Sequence, residues 1–370
     1  VNALQTPLQS LEAGTWFKAI CGASFQHLPA IRSLAIVYAL AGADCLDVAA
    51  DPAVIAATKD GLRVAEHLRH ESIARGFPNT PPPLLMASFN DAEDPHFRKA
   101  QFDPLYCPRN CPRPCEKICP AEAINFELGV TGKPLGVIDA RCYGCGRCVP
   151  ICPIGAIETR AYVATPKSVA ATIVNGIDAI EIHTRPGCLP DFLRLWQSIQ
   201  PWINRLRLIS ISCPDSRKLD AIDYLRTIAA EITPNLKPVL LWQADGRPMS
   251  GDVGKGATMA AIHFGRKLVA SKLPGFIQLA GGTNDRSVTK LKQVGLKLGP
   301  GGIAGLAYGS FARRQLAGVI EELETFSIND RLEQHPHLLW SAVRLARDLT
   351  VHLKPDIRSN LDRSRSPDFP

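Results

Sequence analysis

The sequence predicts an α/β fold: a (β/α)8 barrel of the TIM type with a cysteine-rich module inserted after its third strand. Three observations predict it. Eight short apolar stretches recur along the 370 residues, each followed by a stretch of helical periodicity, the rhythm of a parallel sheet. The chain outside the insertion has roughly the 250 residues usual for such a barrel. Eight of the twelve cysteines fall within residues 107–152, where the strand-helix rhythm stops. An open doubly wound sheet with the module beside it is the alternative arrangement of the same elements.

Taken in order, TWFKAICG (15–22) reads as the first strand, and HLPAIRSLAIVYALAGA as a helix ending near Gly42. CLDVAA is the second strand; the next helix opens with Asp51 as N-cap and Pro52 at its first position. PLLMASFN, the third strand, ends at Asn90. After the insertion come the strands DAIEIHT, LRLISISC, KPVLLWQA, GFIQLAGGT and GIAGLAYGS, alternating with helices from SVAATIVNG to RRQLAGVIEELETF. The chain thus divides into barrel strands one to three (15–90), the insertion (91–165), the rest of the barrel (166–326), a helical extension (327–353) and a polar tail (354–370) expected to be disordered.

Cys142, Cys145, Cys148 and Cys152 have the C-x2-C-x2-C-x3-C-P spacing that wraps three thiolates around one iron-sulfur cluster and lends the fourth to a neighbour. Gly144 and Gly146 remove side chains that would hinder so tight a curl. Zinc is the competing metal for soft thiolate ligands, but its C-x2-C pairs lack the third cysteine and the Cys-Pro ending. Cys107, Cys111, Cys115 and Cys119 form a first run in which every interval holds three residues. The two runs read as a duplication, since CxxxCPAEAI at Cys115 matches CxxxCPIGAI at Cys148. A two-cluster ferredoxin-like module crosses its fourth cysteines: Cys107, Cys111 and Cys115 with Cys152, and Cys142, Cys145 and Cys148 with Cys119. Two [4Fe-4S] clusters are expected; the wider first run also admits a [3Fe-4S] cluster or a non-cysteine ligand. Radical S-adenosylmethionine enzymes use C-x3-C-x2-C, a spacing the first run does not have.

A 46% apolar, 21% charged chain is ordinary for a globular protein, and the net charge of +7 is dispersed, with no aromatic-basic motif for nucleic acid. Arg98, Lys99, Arg109, Arg113 and Lys117 gather around the first run, where they offset thiolate charge or receive an acidic electron-transfer partner. The longest apolar run, Leu34 to Ala43, is half the length of a membrane span, and no secretory signal is read at Val1. Cysteines in ligand spacing point to a reducing cytoplasm.

Gly281 and Gly282 end the seventh strand and Gly309 and Ser310 the eighth, where barrels often bind phosphate; a phosphorylated ligand or flavin is one reading, simple chain turns the other. Lys255, after strand six, adds a cation there without forming a Walker motif. Cys188 and Cys213, just past strands four and five, read as redox-active groups or extra ligands, or as small buried apolar groups. Core packing suffices for Cys21 and Cys45. His183, Asp245 and Asp252 lie near the same rim, but no nucleophile-base-acid set is legible.

With its eight cysteines and phrases such as AICGASFQHLPAIRSLAIVYALAGADCLDVAAD, the chain from Trp16 to about Leu353 resembles the light-dependent period family of cyanobacteria. The resemblance implies an iron-sulfur protein that adjusts circadian period to light through cellular redox state, with the clock proteins KaiA and CikA as partners. Three functions are open: a redox sensor, an iron-sulfur oxidoreductase feeding a flavin or phosphorylated ligand at the barrel mouth, and a scaffold with structural clusters.

Overall fold

The computed structural model describes residues 6–22, 27–77, 79–92, 98–119, 122–128, 134–139, 141–142, 146–161, 166–174, 176–216, 218–246, 256–326 and 330–354. Among the described residues twelve strands are formed: β1 (Trp16–Gly22), β2 (Cys45–Ala49), β3 (Leu84–Asn90), β4 (Arg98–Gln101), β5 (Ile124–Leu128), β6 (Pro134–Val137), β7 (Glu158–Ala161), β8 (Ala179–His183), β9 (Leu208–Pro214), β10 (Val239–Asp245), β11 (Phe276–Ala280) and β12 (Gly305–Tyr308). Eight of them close a barrel in the order β1-β12-β11-β10-β9-β8-β3-β2, every pair parallel. The (β/α)8 barrel is therefore the architecture, and the open sheet is excluded. The four strands β4 to β7 belong to the insertion, which leaves the barrel after β3 and returns before the helix Pro166–Val174.

Outward-facing residues of the strands pack under the helices in one continuous apolar core, in which Phe17 stacks on Tyr308 with ring centroids 4.9 Å apart. The helix Leu28–Leu40 is buried along most of its length because the helix Pro336–Thr350 covers it from outside. That outer helix is anchored by Trp340 stacked on Phe77 and by Arg347, which donates to the Gly76 carbonyl at 3.0 Å. The N-terminal end of the barrel is plugged by Trp16, Leu84, Met86, Leu208 and Leu241.

Sequence periodicity missed the helix Pro7–Ala13, whose Leu11 completes this plug. Its signal was local: Thr6 and Gln9 form a capping box, with Pro7 at the first turn. Lys354 departs from the tail assignment, since its Nζ lies 2.7 Å from buried Asp44 Oδ1. Asp44 also accepts from Ser10 and from the Phe17 backbone, so one carboxylate ties the first helix, β1 and Lys354 together. Residues 355–370 lie outside the described residues.

Candidate iron-sulfur site

Two small antiparallel sheets frame the insertion. The strand that enters it, β4, pairs with β7, by which the chain leaves, and β5 pairs with β6 as a hairpin. Between them two short helices face each other, Pro114–Ile118 carrying Cys115 and Cys148–Ile151 carrying Cys148. Among the described residues its buried apolar cluster is Ala100, Cys115, Ala123, Ile124, Cys142, Cys148 and Ile157. Nearly half of that small core is sulfur-bearing.

The duplication read in the sequence is also a duplication of backbone. Cys119 Sγ accepts the Ala123 N-H at 3.2 Å, and Cys152 Sγ accepts the Ala156 N-H at 3.4 Å, the same offset in each half. The residue two before the helical cysteine is left-handed in both, Arg113 (φ 52) and Gly146 (φ 72). So is the residue three after the last cysteine, Glu122 (φ 48) and Gly155 (φ 63). The second half uses glycine at both positions; the first half strains an arginine and a glutamate into the same turn.

Cys107, Cys111, Cys115 and Cys152 gather within electrostatic reach of one another. Burial is the first cause that raises the Cys107 thiol, then its hydrogen bond with Cys111 and the neighbouring sulfurs of Cys111, Cys115 and Cys152. Burial likewise leads for Cys115, with Cys152 and Cys111 adding to it. Cys152 falls below its ordinary value: burial opposes this, but the N-H groups of Ile154, Ala156, Ile157 and Gly155 together outweigh it. Cys142 and Cys148 are buried in the other half; Cys145 lies outside the described residues. Among the described residues no three His, Cys, Asp or Glu groups converge on a single ion. A cubane cluster spreads its thiolates over separate irons, and N-H···S bonds such as those to Cys119 and Cys152 are of the kind that tune its potential.

The insertion is tied to the barrel mouth by Lys99 of β4, which is almost wholly buried. Its Nζ lies 2.6 Å from Asp51 Oδ2, after β2, and donates to the Asp139 carbonyl at 2.5 Å. Asp51 also caps the helix Pro52–His67, as read from sequence. Arg147, beside Cys148, acts on His27 after β1: burial is the main cause of the lowered His27 pKa, and Arg147 adds to it against Glu324. The second cysteine run thus borders the barrel.

Below that junction the barrel interior is polar, which sequence reasoning did not foresee. Lys18 Nζ lies 2.5 Å from Glu181 Oε2 and 3.1 Å from Asp47 Oδ2, all three fully buried. Ser210 and Gln243 donate to Glu181, Gln278 to Gln243, Trp16 to Gln278, and Ser88 to Asp47. Burial opposes the Lys18 charge, yet Asp47 and Glu181 hold its pKa above the ordinary value. Glu181 is lowered by Lys18 against its own burial, whereas burial keeps Asp47 raised. Asp245, bonded by Ser212, is pushed up to about 6 by burial first, then by Glu181. His183 Nε2 sits 3.2 Å from Glu181 Oε1 without hydrogen-bond geometry. The available signal was a single charged residue at an inward position of each apolar strand: WFKAICG, CLDVA, AIEIH.

Of the glycine positions, Gly281 and Gly282 follow β11, and Gly309 and Ser310 follow the adjacent β12. Gly282 has a packing reason: at φ 108, a Cβ there would lie 2.4 Å from Ala257 Cβ. Gly309 is open, with no atom nearer than 3.7 Å to a Cβ. Cys213 lies within β9 and not past it, fully buried in the outer core. Cys188 precedes the helix Leu189–Ile199, and its Sγ accepts from Arg185 at 3.3 Å. Asp252 and Lys255 lie outside the described residues.

Duplicated cysteine loops on a parallel barrel define an iron-sulfur protein of ferredoxin-plus-barrel build, and residues 107–163 match the LdpA Fe-S cluster-binding domain. Residues 172–352 match the Light dependent period A C-terminal domain. With 47% identity over 352 residues to Light dependent period A of Synechococcus elongatus, covering 94% of each chain, the chain belongs to the light dependent period A family. A stretch of 68 residues is 38% identical to an uncharacterized ferredoxin of Methanocaldococcus jannaschii, covering 18% of this chain and 42% of that one. The crystal structure of oxaloacetate acetylhydrolase superposes with a TM-score of 0.40 at 11% identity, covering 91% of this chain and 93% of that one. No helix among the described residues is long and apolar enough to cross a membrane.

Proposed function

We propose that this chain is a cytoplasmic redox sensor that sets circadian period in response to light or cellular redox state, with KaiA and CikA as its partners. Two clusters, both [4Fe-4S] or the first [3Fe-4S], supply one-electron chemistry. Cys107, Cys111, Cys115 and Cys152 hold one, and Cys142, Cys145, Cys148 and Cys119 the other. The observation that carries this reading is the gathering of the first three cysteines with Cys152 across the duplicated halves. Adding one charge within the insertion, which the buried Lys99–Asp51 pair ties to the barrel, changes local electrostatics by at most a few kcal/mol after screening. Such a change is enough to shift a two-state equilibrium in the surface a partner reads.

The test is partner affinity against poise. Binding of purified KaiA or CikA, measured anaerobically with the chain oxidised and then reduced, should differ by tenfold or more. Equal affinities in both states would reject the sensor. The polar barrel interior favours a second reading, an oxidoreductase passing electrons to a flavin or phosphorylated ligand held near Gly281, Gly282, Gly309 and Ser310. Under that reading a flavin band near about 450 nm survives loss of iron.

A further inference from the structure

One buried lysine touches both the barrel and the turn that leads into the second cysteine run. Lys99 Nζ meets the barrel's Asp51 Oδ2 at 2.6 Å on one side and the Asp139 carbonyl at 2.5 Å on the other. Asp139 stands inside a turn in which the N-H groups of Arg141 and Cys142 both go to the Ile138 carbonyl, at 2.9 and 3.0 Å. Cys142 thus follows Asp139 within one turn, which puts Lys99 Nζ within roughly 8 Å of the Cys142 backbone, one helical pitch plus one hydrogen bond. The same turn reaches a second sulfur. The Ile138 N-H donates to the Ala123 carbonyl at 2.7 Å, and the Ala123 N-H donates to Cys119 Sγ at 3.2 Å.

The other charges at this turn face water. Arg160, opposite Lys99 in the β4-β7 register, is bonded to the Asp139 carboxylate, and that pair is about half exposed. Arg141 is exposed and donates to the Glu122 carbonyl at 3.3 Å. Lys99 and Asp51 side chains are 2% and 0% exposed, so theirs is the field that solvent screens least. Asp51 belongs to the barrel through its other oxygen, which accepts the Ala53 and Val54 N-H groups at 2.9 and 3.4 Å.

We propose that Lys99 and Asp51 are the charges through which the second cluster and the barrel act on each other: Lys99 favours the reduced cluster, Asp51 opposes it, and reduction therefore weakens the barrel's hold on the insertion. The last clause is reciprocity: a carboxylate that disfavours the added electron is disfavoured by it to the same factor. One electron enters from an external one-electron donor, which is oxidised by one electron, and no proton moves. This inference rests on the cluster assignment in the proposed function, with Cys142, Cys145, Cys148 and Cys119 as the second cluster's ligands.

The experiment uses the anaerobically purified full chain, titrated with dithionite at about pH 8 to keep the Asp51 carboxyl ionised, with electron paramagnetic resonance as readout. Lys99→Met should make the second cluster about tenfold harder to reduce, a potential lower by about 59 mV for one electron. Asp51→Asn, which keeps an N-cap, should make it about tenfold easier. The first cluster should shift less in both. Amide exchange across β4 and the start of the helix Pro52–His67 should quicken about tenfold on reduction of wild type, and Asp51→Asn should abolish that dependence. Shifts of the same sign in the two variants, no shift in either, or exchange indifferent to redox state in wild type each overturn the proposal. Should Lys99→Met lose its iron, Asp51→Asn decides alone: a lowered or unmoved potential overturns the proposal. Absence of iron from the wild-type chain instead refutes the cluster assignment beneath it.

Discussion

The barrel and the insertion fill their interiors in opposite ways. Outside its strands the barrel packs an apolar core that runs from Phe17 to Leu353, and it can spare its inner channel for charge. The insertion's buried apolar cluster has seven of the described residues, three of them cysteines, too little apolar area to order a module of that length unaided. A metal-sulfur centre is what the second region needs and the first does not. The difference teaches where each region is vulnerable: the barrel to loss of one charge partner, the insertion to loss of its metal.

Removing iron should therefore have the largest effect. Chelation is expected to unfold residues 98–161 while the barrel persists, read as loss of amide-exchange protection by more than tenfold in the insertion alone. Cooperative loss of protection in both regions would erase the distinction. Next, Lys18→Met leaves Glu181 and Asp47 buried without a counter-charge and should cost about 3–5 kcal/mol in urea unfolding. Replacing all three groups with apolar residues of similar volume should recover most of it.

Asp245 offers a smaller, pH-dependent effect. Its folded carboxyl titrates near 6, above the ordinary 3.8, so the folded state holds its proton more tightly than the unfolded chain. The resulting penalty is absent below about pH 4, grows as pH rises, and is complete above about pH 7. Asp245→Asn should match wild type in acid and exceed it by on the order of 3 kcal/mol at neutral pH, with Lys18, Glu181 and His183 as the facing groups. A constant difference across that range would contradict the burial of a charged Asp245. Smallest is Glu122→Gly, which gives the first half the glycine that the second half has at Gly155; a gain of about 0.5–1 kcal/mol in the insertion's unfolding is expected. A loss there would show that the two halves do not share a turn.

Much of this was legible in the residues. The strand count, the place of the insertion after Asn90 and the Asp51 cap follow from period, spacing and local chemistry, each of which acts within a few residues. The repeat at Cys115 and Cys148 was legible for the same reason. Two things were not. The Lys18–Glu181 pair joins residues 163 positions apart, and nothing in WFKAICG says which strand will face it until the barrel closes. Arg113 and Glu122 give no sign of a left-handed backbone, because the signal for that turn is glycine and only the second half carries it.

The measurement that bears most directly on the account is iron and acid-labile sulfide per chain on anaerobically purified protein, with electron paramagnetic resonance of wild type and Cys152→Ser. The account predicts about seven or eight irons, and loss of the first-run signal alone when Cys152 is replaced. About four irons, or loss of the second-run signal in that variant, would contradict the crossed pairing of the two halves.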